Sequence, residues 1–240
     1  MMTKKKEKNR AAKILITAGP TREYIDPVRY LSNDSSGNMG FAIARAAYEL
    51  GFEVTLIAGP VNLETPPCIK RIDVVSAKQM YAVVMKNAPQ SDLIVMAAAV
   101  ADFTPKYTSP QKIKKCTKTM GVMNLSLKAT KDILEKLGKQ KKPGQILVGF
   151  ALETKDLEKN ALEKLKSKNC DWIFANSSKN IGTKTASATL LHRDGQRYPL
   201  PKLPKKDLAF ILLSYVTNFI RPHTQYRSSN SSTVSNRGAI

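Results

Sequence analysis

Apolar and polar stretches alternate along the chain in a way that predicts both strands and helices. Continuous apolar runs predict buried strands, and segments with apolar residues at helical spacing predict amphipathic helices. The predicted strands are Lys13–Ala18, Glu53–Ala58, Ile72–Val75, Asp92–Val100, Gln145–Ala151 and Asp171–Asn176. The predicted helices are Asn38–Leu50, Ala77–Lys86, Leu157–Lys168 and Lys205–Ile220. This alternation predicts an α/β fold, with a Rossmann-like, mostly parallel sheet and helices on both faces.

The segment Thr189–Leu200 departs from this alternation. Its Asp194-Gly195 pair stands between two apolar runs, which is typical of the tight turn of a β-hairpin. We therefore expect a late antiparallel hairpin at one edge of the sheet. The length of 240 residues fits one such domain, at 13–220. It would lie between a disordered basic arm at 1–12 and a disordered tail at 221–240, which is rich in Ser, Asn and Arg.

The connection between the first strand and the first helix, Pro20–Ser36, is long and polar. Such connections usually take ~2–6 residues, and longer ones are often functional. Ser35, Ser36 and Gly37 precede the helix as an N-cap would, so free N–H groups there could bind an anion such as phosphate. The same residues could serve only to cap the helix. Gly37 and Gly40 would allow a phosphate or the neighbouring strand to approach closely.

Two side chains of this connection suit the chemistry of acyl or phosphate groups. Arg29 could bind a phosphate or carboxylate through its forked guanidinium, and Asn33 could donate from its amide to an acyl oxygen. Either residue could instead form hydrogen bonds within the loop. Val28 and Tyr30 are apolar residues in a polar setting, which indicates packing against another surface such as a second subunit.

Polar residues also follow the later strands, where a parallel sheet binds its ligands. Asp102 follows the small residues Ala97–Ala101 and could hold a Mg²⁺ ion that bridges phosphates, or cap a turn. The lysine segment (Lys112–Lys115) could neutralise charge on a polyphosphate leaving group, or simply be solvated.

A second group of candidates follows the Gln145–Ala151 strand. Phe150 could stack on a base or pack in the core. Lys164 and Lys168 are four residues apart and share one helix face, from which they could reach a base or a phosphate, or project into solvent.

The net charge of +20 makes nucleic-acid binding a competing function. Much of the excess lies in the N-terminal arm and in Lys112–Lys142, without the interleaved aromatic residues that a single-strand binding surface needs. A positive groove for small polyanions accounts for the charge equally well. A pyridine-nucleotide oxidoreductase is a further alternative, but the chain lacks a Gly-x-Gly-x-x-Gly turn after its first strand.

Cysteine and histidine usage disfavours other site chemistry. The 3 cysteines form no Cys-x-x-Cys pair, and the 2 histidines stand apart from them, so neither a zinc site nor a nucleophile–histidine triad is indicated. The longest apolar run, Leu93–Ala101, is too short to span a bilayer, and the lysine-rich start is not a secretory signal. We therefore expect a cytoplasmic protein.

Taken together, six ordered motifs resemble the phosphopantothenate–cysteine ligase family over about Lys13 to Ile220. The motifs are Gly19–Glu23, Asp26–Tyr30, Ser32–Gly40, Ala98–Asp102, Lys112–Lys115 and Gly149–Thr154. The resemblance implies a stand-alone synthetase of the bacterial type. It implies that the carboxylate of 4′-phosphopantothenate attacks the α-phosphate of CTP, or of ATP in eukaryotic relatives. L-cysteine then attacks the acyl nucleotide, in a step of coenzyme A biosynthesis.

The resemblance also implies roles for individual residues. Lys112 would act in the first half-reaction, Asn33 in the second, and Asp102 would hold Mg²⁺ near the triphosphate. Nucleotide contacts are implied for Gly19, Ser35, Ser36, Gly37, Ala98, Asp102, Asp132, Ile133, Phe150, Lys164 and Lys168. The family forms homodimers with shared active sites, so Arg29 would contact a phosphate across the dimer.

Two departures from the family pattern bear on nucleotide binding. Asn38 stands where the family usually has lysine, and Thr130-Lys131 precedes Asp132 where the family usually has Asn-Pro. We expect one phosphate contact and the base-side contacts to differ accordingly, whereas Asn33 and Lys112 are both present.

Overall fold

The computed structural model describes residues 10–115, 122–153, 155–177 and 182–218, with the backbone alone at Glu153 and Ser177. The predicted tail at 221–240 and most of the predicted arm lie outside these ranges. The arm's last residues contact the domain, because Arg10 Nη2 donates to Asp92 Oδ1 at 2.7 Å and Glu53 N donates to Ala12 O at 3.0 Å. The contacts of the described domain therefore include Arg10 and Ala12, which lie ahead of the predicted start at 13.

The described strands and helices follow in the order expected from the pattern, with additions. The strands are β1 (Lys13–Ala18), β2 (Arg22–Asp26), β3 (Arg29–Ser32), β4 (Glu53–Ala58), β5 (Lys70–Asp73), β6 (Leu93–Met96), β7 (Phe103–Pro105), β8 (Leu127–Ala129), β9 (Ile146–Glu153), β10 (Trp172–Ser177), β11 (Thr185–His192) and β12 (Arg197–Pro204). The helices are α1 (Asn38–Glu49), α2 (Ala77–Asn87), α3 (Ile133–Gln140), α4 (Leu157–Ser167) and α5 (Lys205–Thr217).

The main sheet has 8 strands in the order β12-β11-β10-β9-β6-β1-β4-β5. All neighbours from β5 to β10 are parallel, and β11 pairs antiparallel with both β10 and β12. The predicted mostly parallel fold and its late hairpin are thus confirmed, with the turn at Asp194-Gly195 as expected. None of the helices in the described ranges is long and apolar enough to cross a membrane.

Helices cover both faces of the sheet, because successive residues of a buried strand point to opposite sides. Ile16 of β1 packs into the layer that contains α1 and α5, with Ala44 and Leu212. Its neighbour Leu15 packs into the layer that contains α2, α3 and α4, with Val84. The carboxyl ends of the parallel strands lie together at one edge of the sheet.

The structure corrects several sequence expectations near those ends. The Pro20–Ser36 connection is not an irregular loop, since most of it forms the two-stranded hairpin β2–β3. The predicted Asp92–Val100 strand ends at Met96, because Ala98 N donates to Thr17 Oγ1 and Ala99 instead pairs with Pro20 outside the sheet. Neither the small β7–β8 pair nor helix α3 was among the predicted elements.

The first prediction concerns Gly59, which follows β4. A Cβ atom there would lie 1.7 Å from the carbonyl oxygen of Pro20, so Gly59→Ala would force the two chain segments apart. We expect a loss of about 3 kcal/mol in the free energy of unfolding, measured by urea titration. Gly144→Ala is the control, because its φ of 80° is strained but its Cβ would meet nothing within 4 Å. That variant should lose about 1 kcal/mol, and equal losses would contradict the prediction.

Candidate active site

The segments that follow β1 and β6 are joined by backbone hydrogen bonds beyond the edge of the sheet. Ala99 N donates to Gly19 O at 2.9 Å, and Thr21 N donates to Ala99 O at 3.3 Å. The buried hydroxyl of Thr21 then accepts from Ala101 N at 3.0 Å. These bonds bring the predicted residues Gly19 and Ala98 together at the carboxyl edge of the sheet.

The amino terminus of α1 lies against Gly19. A Cβ atom on Gly37 would be 3.3 Å from the Cα of Gly19, and both glycines have left-handed backbone, with φ of 75° and 77°. Of the three residues in the predicted N-cap signature, Gly37 is the N-cap, and no side chain caps the helix. Ser35 Oγ instead accepts from Gly37 N at 3.4 Å, before the helix begins.

The first turn of α1 therefore presents free donors. Its first backbone bond runs from Phe41 N to Gly37 O, and the N–H groups of Asn38, Met39 and Gly40 have no acceptor within the described residues. Unsatisfied N–H groups and the helix dipole favour an anion at this point. Gly40 serves the sheet rather than a ligand, because its Cβ would lie 2.5 Å from that of Ala18.

Asn33 follows the hairpin and is fixed by main-chain oxygens. Its Nδ2 donates to Ala99 O and to Val100 O, both at 3.1 Å. Because both partners are carbonyl oxygens, they also fix which end of the amide is nitrogen. Asn33 therefore offers a ligand the acceptor Oδ1, not the amide donor expected from the sequence.

Asp26 is a fully buried carboxylate at the turn of the hairpin. It accepts from the backbone N–H groups of Val28, Arg29 and Ile113 at 2.9, 2.9 and 3.1 Å. Arg29 donates to it from Nε and Nη2 at 3.0 and 2.6 Å. The Arg29 guanidinium and these N–H groups hold the pKa of Asp26 well below its usual range, although burial acts in the opposite direction.

Arg29 also contacts the lysine segment, since its Nη2 donates to Ile113 O at 2.7 Å. Ser109 N and Thr108 Oγ1 bond to the backbone of β2 as well, at Ile25 O and Tyr24 O. Lys112 itself is exposed. The proposed role of Arg29 in binding phosphate across a dimer stays a prediction, and within this chain its Nε and Nη2 are used by Asp26 and Ile113.

Asp102 is exposed beside the Ala98–Ala101 segment. Its carbonyl accepts from Thr130 N at 2.8 Å, and Thr130 Oγ1 donates to Ala101 O at 2.7 Å. The Asp102 carboxylate has no partner within the described residues. In the same ranges no group of three or more Asp, Glu, His or Cys residues is placed to hold a metal ion.

All of the remaining candidates except the Phe150 side chain lie on the α3–α4 side of the sheet. Asp132 caps α3 by accepting from Glu135 N at 2.8 Å, and it pairs with Lys168 at 2.9 Å. Burial raises the pKa of Asp132, but the Glu135 N–H and Lys168 together lower it by more, so the pKa lies below its usual value. The Asp132 carboxylate likewise raises the pKa of Lys168.

Lys164 lies on the same side of the sheet, whereas the ring of Phe150 packs on the opposite face, in the layer of α1 and α5. Phe150 stacks on Phe174 with centroids 4.8 Å apart, and its carbonyl accepts from Lys164 Nζ at 2.7 Å. Ile133 is buried in the core layer that contains α2, α3 and α4. Each of these residues already has a partner within the protein. Their contacts with a nucleotide stay predictions.

Sequence reasoning missed the residues that hold the site in place. Thr17, Thr21 and Glu23 are buried polar residues, and Glu23 Oε1 accepts from Ala77 N at 2.7 Å at the start of α2. The available signal was a set of polar side chains at the end of a buried strand and just after it, and their backbone partners come from parts of the chain that are distant in sequence.

Residues 9–220 match the family described as DNA/pantothenate metabolism flavoprotein C-terminal domain. The chain belongs to this family. It is similar to the coenzyme A biosynthesis bifunctional protein CoaBC of Bacillus subtilis, with 47% identity over 208 residues, 85% of this chain and 50% of that protein. It also matches a cysteine/cysteine sulfinic acid decarboxylase of an unknown prokaryotic organism, with 51% identity over 171 residues, 71% of this chain and 47% of that protein.

The solved C-terminal domain of a CoaBC protein agrees with this family assignment. It superposes with a TM-score of 0.73 at 39% identity, covering 85% of this chain and 93% of that domain. The chain therefore spans about half the length of the curated relatives it matches, and nearly all of the solved C-terminal domain.

The second prediction concerns the stability of the fold at low pH. The native pKa of Asp26 lies below the value of about 3.9 in an unfolded chain, so the folded state binds fewer protons in acid. Its stabilising effect should be complete above about pH 5 and be lost progressively as the pH falls below about 4. The difference in unfolding free energy between wild type and Asp26→Asn, from urea titrations, should narrow between about pH 5 and pH 2. A difference that is constant over this range would contradict a lowered native pKa.

Proposed function

We propose that this domain joins 4′-phosphopantothenate to L-cysteine through an acyl-nucleotide intermediate. The observation that carries the proposal is the family match over residues 9–220, combined with 47% identity to a coenzyme A biosynthesis protein. Asn33 lies at the carboxyl edge of the parallel sheet, where α/β proteins bind nucleotides, and the lysine segment contacts the turn of the hairpin that leaves this edge.

The proposed chemistry requires no nucleophile from the protein. The carboxylate of 4′-phosphopantothenate attacks the α-phosphorus, the bond to the β-phosphate breaks, and pyrophosphate leaves. The cysteine amine then attacks the acyl carbon, the carbon–oxygen bond breaks, and the nucleoside monophosphate leaves with one proton released. Catalysis is then a matter of positioning the reactants and stabilising the phosphate charge.

The residues at the sheet edge suit these two steps. We assign Lys112 to the charge that develops on pyrophosphate and the free N–H groups of α1 to a phosphate. We assign Asn33 Oδ1 to an N–H of the attacking amine, because its two amide hydrogens are held by Ala99 O and Val100 O.

A nucleotide-bound Mg²⁺ fits this site, whereas a metal held only by protein does not. The unpartnered Asp102 carboxylate is a single hard oxygen ligand, and Mg²⁺ is commonly bound by one or two carboxylates together with substrate phosphates. Asp102 would hold the ion, which would supply charge neutralisation at the triphosphate.

CTP is the nucleotide that we favour, on the resemblance of the lysine segment to the bacterial type. We assign the Asp132–Lys168 pair and Phe150 to contacts with the base and ribose, as the resemblance implies. We further propose a homodimer in which the exposed Val28 and Tyr30 pack against the partner, and a cytoplasmic location.

The third prediction is the direct test of this function. Purified protein with Mg²⁺, 4′-phosphopantothenate and CTP or ATP should release pyrophosphate, and turnover should depend on L-cysteine. Mass spectrometry should show 4′-phosphopantothenoyl-cysteine. Absence of pyrophosphate with both nucleotides would overturn the proposal, and release of CO₂ from cysteine without nucleotide would favour the chemistry named for the 51% identical relative.

The fourth prediction separates the half-reactions. In Asn33→Asp the carboxylate cannot donate to Ala99 O and Val100 O and is repelled by both, so the side chain should swing away. We expect product formation to fall by about 10²-fold, while pyrophosphate release in a single turnover is partly retained. Asn87→Asp is the matched control, because Asn87 Nδ2 also donates to a carbonyl, Val83 O, but at the far end of α2. Normal turnover by Asn33→Asp would remove Asn33 from the mechanism.

A further inference from the structure

The ion pair between Asp26 and Arg29 holds both backbone polar groups of one residue in the lysine segment, Ile113. Asp26 accepts from Ile113 N at 3.1 Å, and Arg29 donates to Ile113 O at 2.7 Å. The Asp26 carboxylate is fully buried, while the Arg29 side chain is 41% exposed. Ile113 directly follows Lys112, so the pair fixes the backbone on which Lys112 stands.

This arrangement restricts Lys112 more than ordinary loop packing would. A buried carboxylate must keep its hydrogen-bond donors, because losing one leaves an uncompensated charge in the interior. Two of the five donors to Asp26 come from the Arg29 guanidinium, two from the backbone of the turn and one from Ile113, which is 87 residues away in sequence. If Ile113 moved, the Asp26 carboxylate, which also shapes the turn, would therefore lose one of its hydrogen-bond donors.

We propose that Asp26 is a positioning residue, which acts with Arg29 through Ile113 to hold Lys112 in place for the first half-reaction. This inference rests on the proposed ligase function. Asp26 touches no substrate in this account. Its effect on the reaction is transmitted entirely through the backbone of Ile113, which follows Lys112.

The first arm of the test measures the clamp itself, without any assay of activity. Hydrogen exchange at the Ile113 amide should be slow in wild type and at least about tenfold faster in Asp26→Asn, because the amide would lose its charged acceptor. Asp194→Asn is the matched control, since Asp194 also accepts a turn N–H, from Gln196, and lies 2.8 Å from His192 Nδ1, but at the opposite edge of the sheet. Equal exchange at Ile113 in wild type and Asp26→Asn would refute the clamp.

The second arm asks whether Asp26 acts through Lys112. In Asp26→Asn, kcat for pyrophosphate release should fall by about 10²-fold, with the KM for nucleotide near its wild-type value. In a Lys112→Ala background the same change should alter the rate less than about twofold, because the residue that it positions is gone. A loss of equal size in both backgrounds would overturn the proposal.

A second variant and the exchange measurement keep the test decisive if either of two experiments fails. If Asp26→Asn does not fold, Arg29→Lys, which keeps the charge but loses the fork, enters the same cycle. If wild type releases no pyrophosphate with either nucleotide, the ligase proposal fails and the positioning role fails with it. The exchange arm still shows in that case whether Asp26 clamps Ile113.

Discussion

The candidate site depends on the backbone pairing between the segments that leave β1 and β6. Parallel strands end with unpaired polar groups, and here those groups bond to each other through Gly19, Thr21 and Ala99. Pro20 and Gly59 are in such close contact at this crossing that no side chain fits at position 59. The hairpin β2–β3, Asn33 and the Ala98–Asp102 segment all take their positions from this crossing.

Buried polar side chains also hold backbone segments around the site in place, by accepting hydrogen bonds from them. Within the described residues, four of the six buried polar side chains lie between β1 and the turn of the hairpin: Thr17, Thr21, Glu23 and Asp26. Each accepts a backbone N–H from a part of the chain that is distant in sequence, at Ala98, Ala101, Ala77 and Ile113 respectively. A buried acceptor that lost its donor would cost roughly 1–3 kcal/mol. These four bonds therefore make the loops around the site rigid, which suits catalysis by positioning.

The sequence predicted the sheet, the late hairpin and the family, because long apolar runs and ordered motifs are local signals. It did not predict β2–β3, since short strands with charged residues such as Arg22 and Glu23 look like a polar loop. The orientation of Asn33 could not be predicted either, because its partners Ala99 and Val100 lie 66 and 67 residues away. The pairing of Lys168 with Asp132 is likewise a tertiary contact, which spacing along one helix cannot show.

The central claim is that the carboxylate of 4′-phosphopantothenate is activated on the α-phosphate of a nucleotide. An isotope measurement tests it directly: the reaction is run with ¹⁸O in both oxygens of that carboxylate, and the products are analysed by mass spectrometry. The account predicts one ¹⁸O atom in the nucleoside monophosphate and one in the new amide. Label in inorganic phosphate, or none in the monophosphate, would contradict an acyl-nucleotide intermediate.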